Sequence, residues 1–117
     1  MHEVSVASSI LDLIERQLGA PQPLAQVELR IGPLSGVSPD SLLFCFATVA
    51  RERGFGEPVL SVERTLVDIS CQTCGIRYRV PDPIEPCPAC GSWKRAILAG
   101  DELQLLSATL CEETTHV

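Results

Sequence analysis

The sequence predicts an α+β fold: a small three-stranded mixed sheet with two helices, plus an inserted four-cysteine module of the zinc-ribbon or rubredoxin-like knuckle type. Three observations carry this. Two stretches, residues 4–18 and 39–52, repeat apolar side chains at helical spacing. Three others alternate or cluster aliphatic and β-branched residues as half-buried strands do. Between the last two of these strands stand Cys71-Gln72-Thr73-Cys74-Gly75 and its echo Cys87-Pro88-Ala89-Cys90-Gly91.

The first helix is expected from the stripe Val4, Ala7, Leu11, Ile14 and Leu18, widened by Ile10 and Leu13, with Gly19 as C-cap and Pro21 blocking continuation. Ala25, Val27, Leu29 and Ile31 alternate with Gln26, Glu28 and Arg30, which predicts a strand; a turn over 32–36 follows. Ser38 reads as an N-cap and Pro39 as the first residue of a second helix. Leu42, Leu43, Phe46, Ala47, Val49 and Ala50 form its apolar set, and Gly54 ends it. Residues 59–69 return to β character and lead into the first cysteine pair. Leu103, Leu105, Leu106, Ala108 and Leu110 form a last strand whose phase slips midway, as at a bulge.

Two Cys-x-x-Cys pairs can each grip one metal ion from a tight turn, and the loop between them can close a tetrahedron. Zinc is the default occupant of four thiolates in a closed site. Iron in a rubredoxin-like site is the rival, with Tyr78 nearby. Two disulfides would need an oxidising compartment, and Met1-His2-Glu3 opens directly into an amphipathic pattern without the basic region and apolar run of a secretion signal. A redox pair of the thioredoxin type stands alone rather than duplicated.

Composition bounds the rest. The chain has 117 residues, 45% of them hydrophobic but only 4% aromatic, and a formal net charge of -6. A divalent ion on four thiolates makes the balance more negative still. Phosphate backbones and anionic lipid repel such a chain, so nucleic acid is not an expected partner. No apolar run approaches membrane-spanning length, so no membrane insertion is expected and a cytoplasmic protein is the simplest reading. No Ser/His/Asp set, catalytic carboxylate pair or phosphate-binding glycine loop is evident, so the chain does not read as an enzyme.

Histidine at position 2 is chemically unusual. The α-amine of Met1, the backbone nitrogen of His2 and its imidazole can bite one ion together, and such donors favour Ni(II) or Cu(II) over zinc. Glu3 can add an amide nitrogen or a carboxylate. The plain alternative is a solvated start in which Glu3 complements the helix dipole.

The opening Met-His-Glu-Val-Ser-Val-Ala-Ser-Ser-Ile, the segment Val27-Glu28-Leu29-Arg30-Ile31-Gly32-Pro33-Leu34-Ser35-Gly36-Val37, the cysteine pairs with Ser92, and Gly100-Asp101-Glu102-Leu103 together resemble the HypA/HybF family of hydrogenase nickel-incorporation proteins. The resemblance runs in order from residue 1 to about residue 110. It implies Ni2+ as transferred cargo at Met1 (by its amine), His2 and Glu3, and structural Zn2+ at Cys71, Cys74, Cys87 and Cys90. Asp40 occupies the place of an acidic residue that can lie near the nickel in this family; a helix-dipole carboxylate is the alternative. Some relatives offer a histidine from the zinc module, and this chain has none there. The implied function is a nickel metallochaperone delivering Ni(II) to NiFe-hydrogenase large-subunit precursors with a nickel-handling GTPase of the HypB type. Residues 1–68 and 100–113 would form the nickel-binding α/β domain, 69–99 the zinc module, and 114–117 a frayed tail.

Other residues have plainer readings. Cys45 reads as a buried small hydrophobe, Cys111 as structural, His116 as a bystander in the tail, and Trp93 as packed beside the second knuckle. Arg77, Arg79, Lys94 and Arg95 read as compensation for the charge of the metal site. A zinc-ribbon interaction or nucleic-acid module without a nickel role, and a small iron electron carrier, are the competing functions.

Overall fold

A computed structural model describes residues 2–111. Its elements are α1 (His2–Leu18), β1 (Leu24–Ile31), α2 (Pro39–Glu52), β2 (Val59–Arg64), β3 (Val67–Cys71), β4 (Arg77–Val80), β5 (Arg95–Ala99) and β6 (Leu103–Leu110). The strands form two three-stranded sheets, in the orders β2-β1-β6 and β4-β3-β5. The first, with α1 and α2, is the expected α+β arrangement. It is mixed. Gln26 bonds Ser61 at 2.9 Å and Thr65 N–H donates to Ile31 C=O, so β1 and β2 run parallel, with α2 as the crossover such a pair requires. Gly32 N–H donates to Glu102 C=O and Cys111 N–H to Pro23 C=O, so β6 runs antiparallel to β1.

The chain divides into two compact units: one of residues 1–29, 37–63 and 104–117, the other of residues 30–36 and 64–103. In the first, Ala7, Ile10, Leu11 and Ile14 of α1, Leu24, Val27 and Leu29 of β1, Leu42, Phe46 and Ala50 of α2, and Phe55 are buried. Capping follows the sequence: the Ser38 hydroxyl accepts from Ser41 N–H at 3.3 Å and Pro39 occupies the first turn of α2. Arg53, just past α2, reaches back to α1. Its guanidinium meets Asp12 at 2.8 Å and Glu15 at 2.9 Å, and donates to the Ser8 carbonyl.

Several expectations need correction. Leu24, not Ala25, faces inward on β1, so the alternation slips between Leu24 and Val27. Val4 and Leu13 of α1 and Leu43 of α2 are exposed, because a helix packed on one side needs a narrower stripe than its apolar residues offer. Cys45 is half-buried rather than buried, its thiol 3.8 Å from the Leu42 carbonyl, while Phe44 beside it is 85% exposed. Residues 59–69 are not one strand. Thr65 breaks them, its hydroxyl donating to Glu102 at 2.8 Å, and β3 joins the second sheet. β4 and β5 lie within the metal module, where no strands were expected. β6 shows no inner face at all: every residue but half-buried Leu105 is exposed.

The second unit has few aliphatic residues inside: Ile31, Val67 and Ile69, joined by Cys71 and Cys87. β3 pairs antiparallel with both neighbours, Ile69 opposite Tyr78 on one side and Ile97 on the other. At its edge Leu34 N–H donates to Gly100 C=O at 2.7 Å, and a Cβ on Gly32 would collide with that carbonyl and with the Glu102 carboxylate. Gly32→Ala should therefore force the two backbones apart and destabilise the fold by about 2–4 kcal/mol, read as a lowered midpoint in denaturant unfolding.

Candidate metal centre

The two cysteine pairs form two copies of one backbone device. Cys71 ends β3; its N–H donates to Ile76 C=O and its C=O accepts from Gly75 N–H. Cys87 does the same with Ser92 and Gly91. Each device turns through a glycine with positive φ, 84° at Gly75 and 75° at Gly91, a conformation that penalises any Cβ. Gln72 N–H donates to Lys94 C=O, and the Thr73 and Ser92 hydroxyls meet at 2.7 Å, so the two turns are tied to each other. The sequence spacing gave the turns; the Thr73–Ser92 link between them was not anticipated, although both residues stand inside or beside the turns.

These turns bring Cys71, Cys74, Cys87 and Cys90 together, with all four sulfurs within 4.8 Å of one another. Across the pairs, Cys71 Sγ lies 3.6 Å from Cys90 Sγ and Cys74 Sγ 3.7 Å from Cys87 Sγ. Those separations exclude disulfides, since a sulfur–sulfur bond is about 2 Å long. They match a metal tetrahedron, in which bonds of about 2.3 Å give sulfur–sulfur edges of about 3.8 Å. Cys71 and Cys87 are buried, Cys74 and Cys90 exposed.

Electrostatics leads to the same conclusion. The Cys71 thiol is lowered to about 6, chiefly because the Cys74 N–H donates to its sulfur, helped by Thr73 N–H. The Cys90 thiol moves up to about 12. The Ser92 N–H favours its thiolate, but desolvation and the sulfurs of Cys71, Cys74 and Cys87 outweigh it. Four gathered sulfurs cannot all ionise on their own, and a divalent cation is what would let them. Tyr78 bonds no sulfur: its hydroxyl is buried and has no hydrogen-bond partner among the described residues.

Two of the basic residues of this unit, Arg77 and Arg95, are engaged locally. Arg77 pairs with Asp68 at 2.7 Å. Arg95 donates to the Pro83 and Glu85 carbonyls and stacks its guanidinium 5.2 Å from the Trp93 ring centroid. Trp93 is thus 59% exposed under an arginine, not packed in beside a knuckle.

The N-terminal candidates belong to the other unit. Met1 lies outside the described residues, as do His116 and the rest of the tail. His2 is exposed at the start of α1, with Nε2 3.3 Å from a Glu3 carboxylate oxygen. That same oxygen accepts from Ser38 N–H at 3.1 Å, so Glu3 joins the start of α1 to the start of α2. The Ser38 N–H is the main reason the Glu3 carboxyl is held below its usual range. Asp40 is exposed in the first turn of α2. The role of Ser38 has no signal in the sequence beyond its N-cap position.

A two-helix, mixed-sheet fold with a four-sulfur knuckle module defines a small metal-binding protein. The chain belongs to the HypA family, described as hydrogenase/urease nickel incorporation, metallochaperone, whose profile matches residues 1–110. It is 37% identical over 105 residues to the hydrogenase maturation factor HypA of Geobacter metallireducens, covering 90% of this chain and 94% of that one. It is 38% identical over 112 residues to that of Prosthecochloris aestuarii, covering 94% and 99%. The solution structure of the Ni metallochaperone HypA from Helicobacter pylori superposes with a TM-score of 0.60 at 26% identity, covering 97% of this chain and all of that one. By its name the family is one of metallochaperones, not enzymes. No described helix is long and apolar enough to cross a membrane.

Because all four sulfurs must bind as thiolates, metal affinity at the cysteines should rise steeply with pH. Competition against a chromogenic chelator between pH 6 and 8 should show retention increasing at each step. A flat profile would mean that the four cysteines do not bind together.

Proposed function

We propose that this protein is a nickel metallochaperone that carries Ni(II) on its N-terminus to NiFe-hydrogenase large-subunit precursors, with structural zinc on the cysteines. Residues 1–68 and 100–113 form the nickel-binding domain in this reading, and 69–99 the zinc module. Nickel is cargo. It is taken by the α-amine of Met1, His2 and Glu3, with Asp40 as a further carboxylate. The observation that carries the reading is the Glu3 carboxylate, which sits 3.3 Å from the His2 imidazole and is held there by the Ser38 N–H one residue before α2. An imidazole and an ionised carboxylate are thereby presented together at a helix end, and Asp40 is exposed in the first turn of α2. Such a shallow site can release an ion to a partner as readily as it binds one.

The partners follow from the family: the hydrogenase precursor as recipient, and a nickel-handling GTPase of the HypB type as the protein that works beside it. Cytoplasmic localisation goes with both. Zinc is the occupant we favour at the cysteines, because a closed set of four thiolates is the standard structural zinc site.

His2→Ala, or any residue added before Met1, should abolish nickel binding by tag-free protein in titration calorimetry while zinc stays near one ion per chain by elemental analysis. Nickel affinity should also fall as pH drops and the imidazole and amine protonate. Unchanged affinity in either variant would rule out the N-terminal site. A red protein from iron-replete cells would replace zinc with iron.

A further inference from the structure

Each knuckle has one cysteine inside and one outside: Cys71 and Cys87 are buried, Cys74 and Cys90 exposed. The four sulfurs also differ in what caps them. Thr73 N–H and Cys74 N–H both donate to the Cys71 sulfur, and Ser92 N–H bonds that of Cys90. Among the described residues no N–H donates to the Cys74 sulfur, which lies 3.7 Å from the Cys87 sulfur of the other knuckle. An N–H held against a thiolate draws on the lone pairs an oxidant must use, and burial denies the oxidant access. Of the four, Cys74 alone combines exposure with an uncapped sulfur.

Its neighbour decides what an oxidised Cys74 becomes. The Cys87 sulfur is buried, uncapped by any described N–H, and already against it. Closing 3.7 Å to a bond of about 2 Å is a small movement. Cys71, the partner within the same turn, is held back by its two N–H donors.

We propose that Cys74 is an oxidation site, at which hydrogen peroxide converts the cysteine module from a metal-holding to a disulfide form. The inference rests on the reading of the four cysteines as a metal site. The Cys74 thiolate attacks one oxygen of the peroxide, the O–O bond breaks, and hydroxide leaves a sulfenic acid behind. The Cys87 thiolate then attacks that sulfur, a second hydroxide leaves, and the Cys74–Cys87 bond forms. Two thiolates have given two electrons to one peroxide. Cys71 and Cys90 remain, and two thiolates do not make a closed site, so the ion is released. The interior then keeps only Ile31, Val67 and Ile69 besides the sulfurs, and the unit loosens until a reductant restores the thiolates.

The test uses zinc-loaded full-length Cys45→Ser/Cys111→Ser protein, its metal counted by elemental analysis beforehand, and a small excess of hydrogen peroxide. Dimedone, which traps sulfenic acids, should label Cys74 about tenfold more than Cys90, and the same preference should hold in the unsubstituted chain. Without the trap, zinc should reach a chromogenic chelator in step with the joining of tryptic peptides 65–77 and 80–94. Fragmentation should place that link between Cys74 and Cys87, and dithiothreitol with added zinc should reverse both changes. Equal labelling of Cys74 and Cys90 would overturn the proposal. So would zinc kept at full occupancy, or disulfides within each knuckle, which leave the two peptides separate. Protein that holds no metal before peroxide is added would overturn the metal reading itself, and this proposal with it.

Discussion

The gathering of four sulfurs within 4.8 Å is the constraint on which the second unit depends. With all four ionised and no cation it is a repulsive arrangement, and the neighbouring sulfurs together with desolvation push the Cys90 thiol up. With a cation it becomes the centre of a unit whose interior otherwise holds only Ile31, Val67 and Ile69 besides the two buried cysteines. So few aliphatic side chains cannot offset the chain entropy of three short strands and their loops. Metal–thiolate bonds, once formed, would take over the work of a hydrophobic core and couple the folding of this unit to metal binding.

The first unit is held by different physics. Aliphatic burial between α1, α2 and β1 supplies its stability, and two polar links set how its helices meet. Arg53 ties the end of α2 to Asp12, Glu15 and the Ser8 carbonyl of α1. Glu3 ties the helix starts together through Ser38. The first link is mainly structural. The second holds a carboxylate next to the His2 imidazole, so a helix-positioning contact also sets the pair that we propose takes nickel.

Much was legible in the sequence because its signals were local. The Cys-x-x-Cys-Gly turns specify their own hydrogen bonds and positive φ angles, so the ligand set could be read directly. Ser38-Pro39 announces a helix start, and the 3.6-residue stripe predicts both helices. The strands were read less well. β4 is Arg-Tyr-Arg-Val, a charged tetrapeptide without a hydrophobic run, and it is a strand because β3 offers it a partner. The apolar residues of β6 suggested a buried face, yet the strand lies exposed at a sheet edge.

The sequence by itself determined the four thiolates, the turns that carry them, the helix caps and the chemical character of the N-terminus, since each depends on residues a few positions apart. Tertiary structure decided what depends on distant partners. It closed the two knuckles on each other through Thr73 and Ser92, split residues 59–69 between two sheets, delivered the Ser38 N–H to Glu3, and left an uncharged strand at an edge. The physical reason is range. Local backbone geometry is encoded in neighbouring side chains, whereas which sheet a strand joins and which carboxylate meets which N–H are settled only when separate elements compete for the same partners.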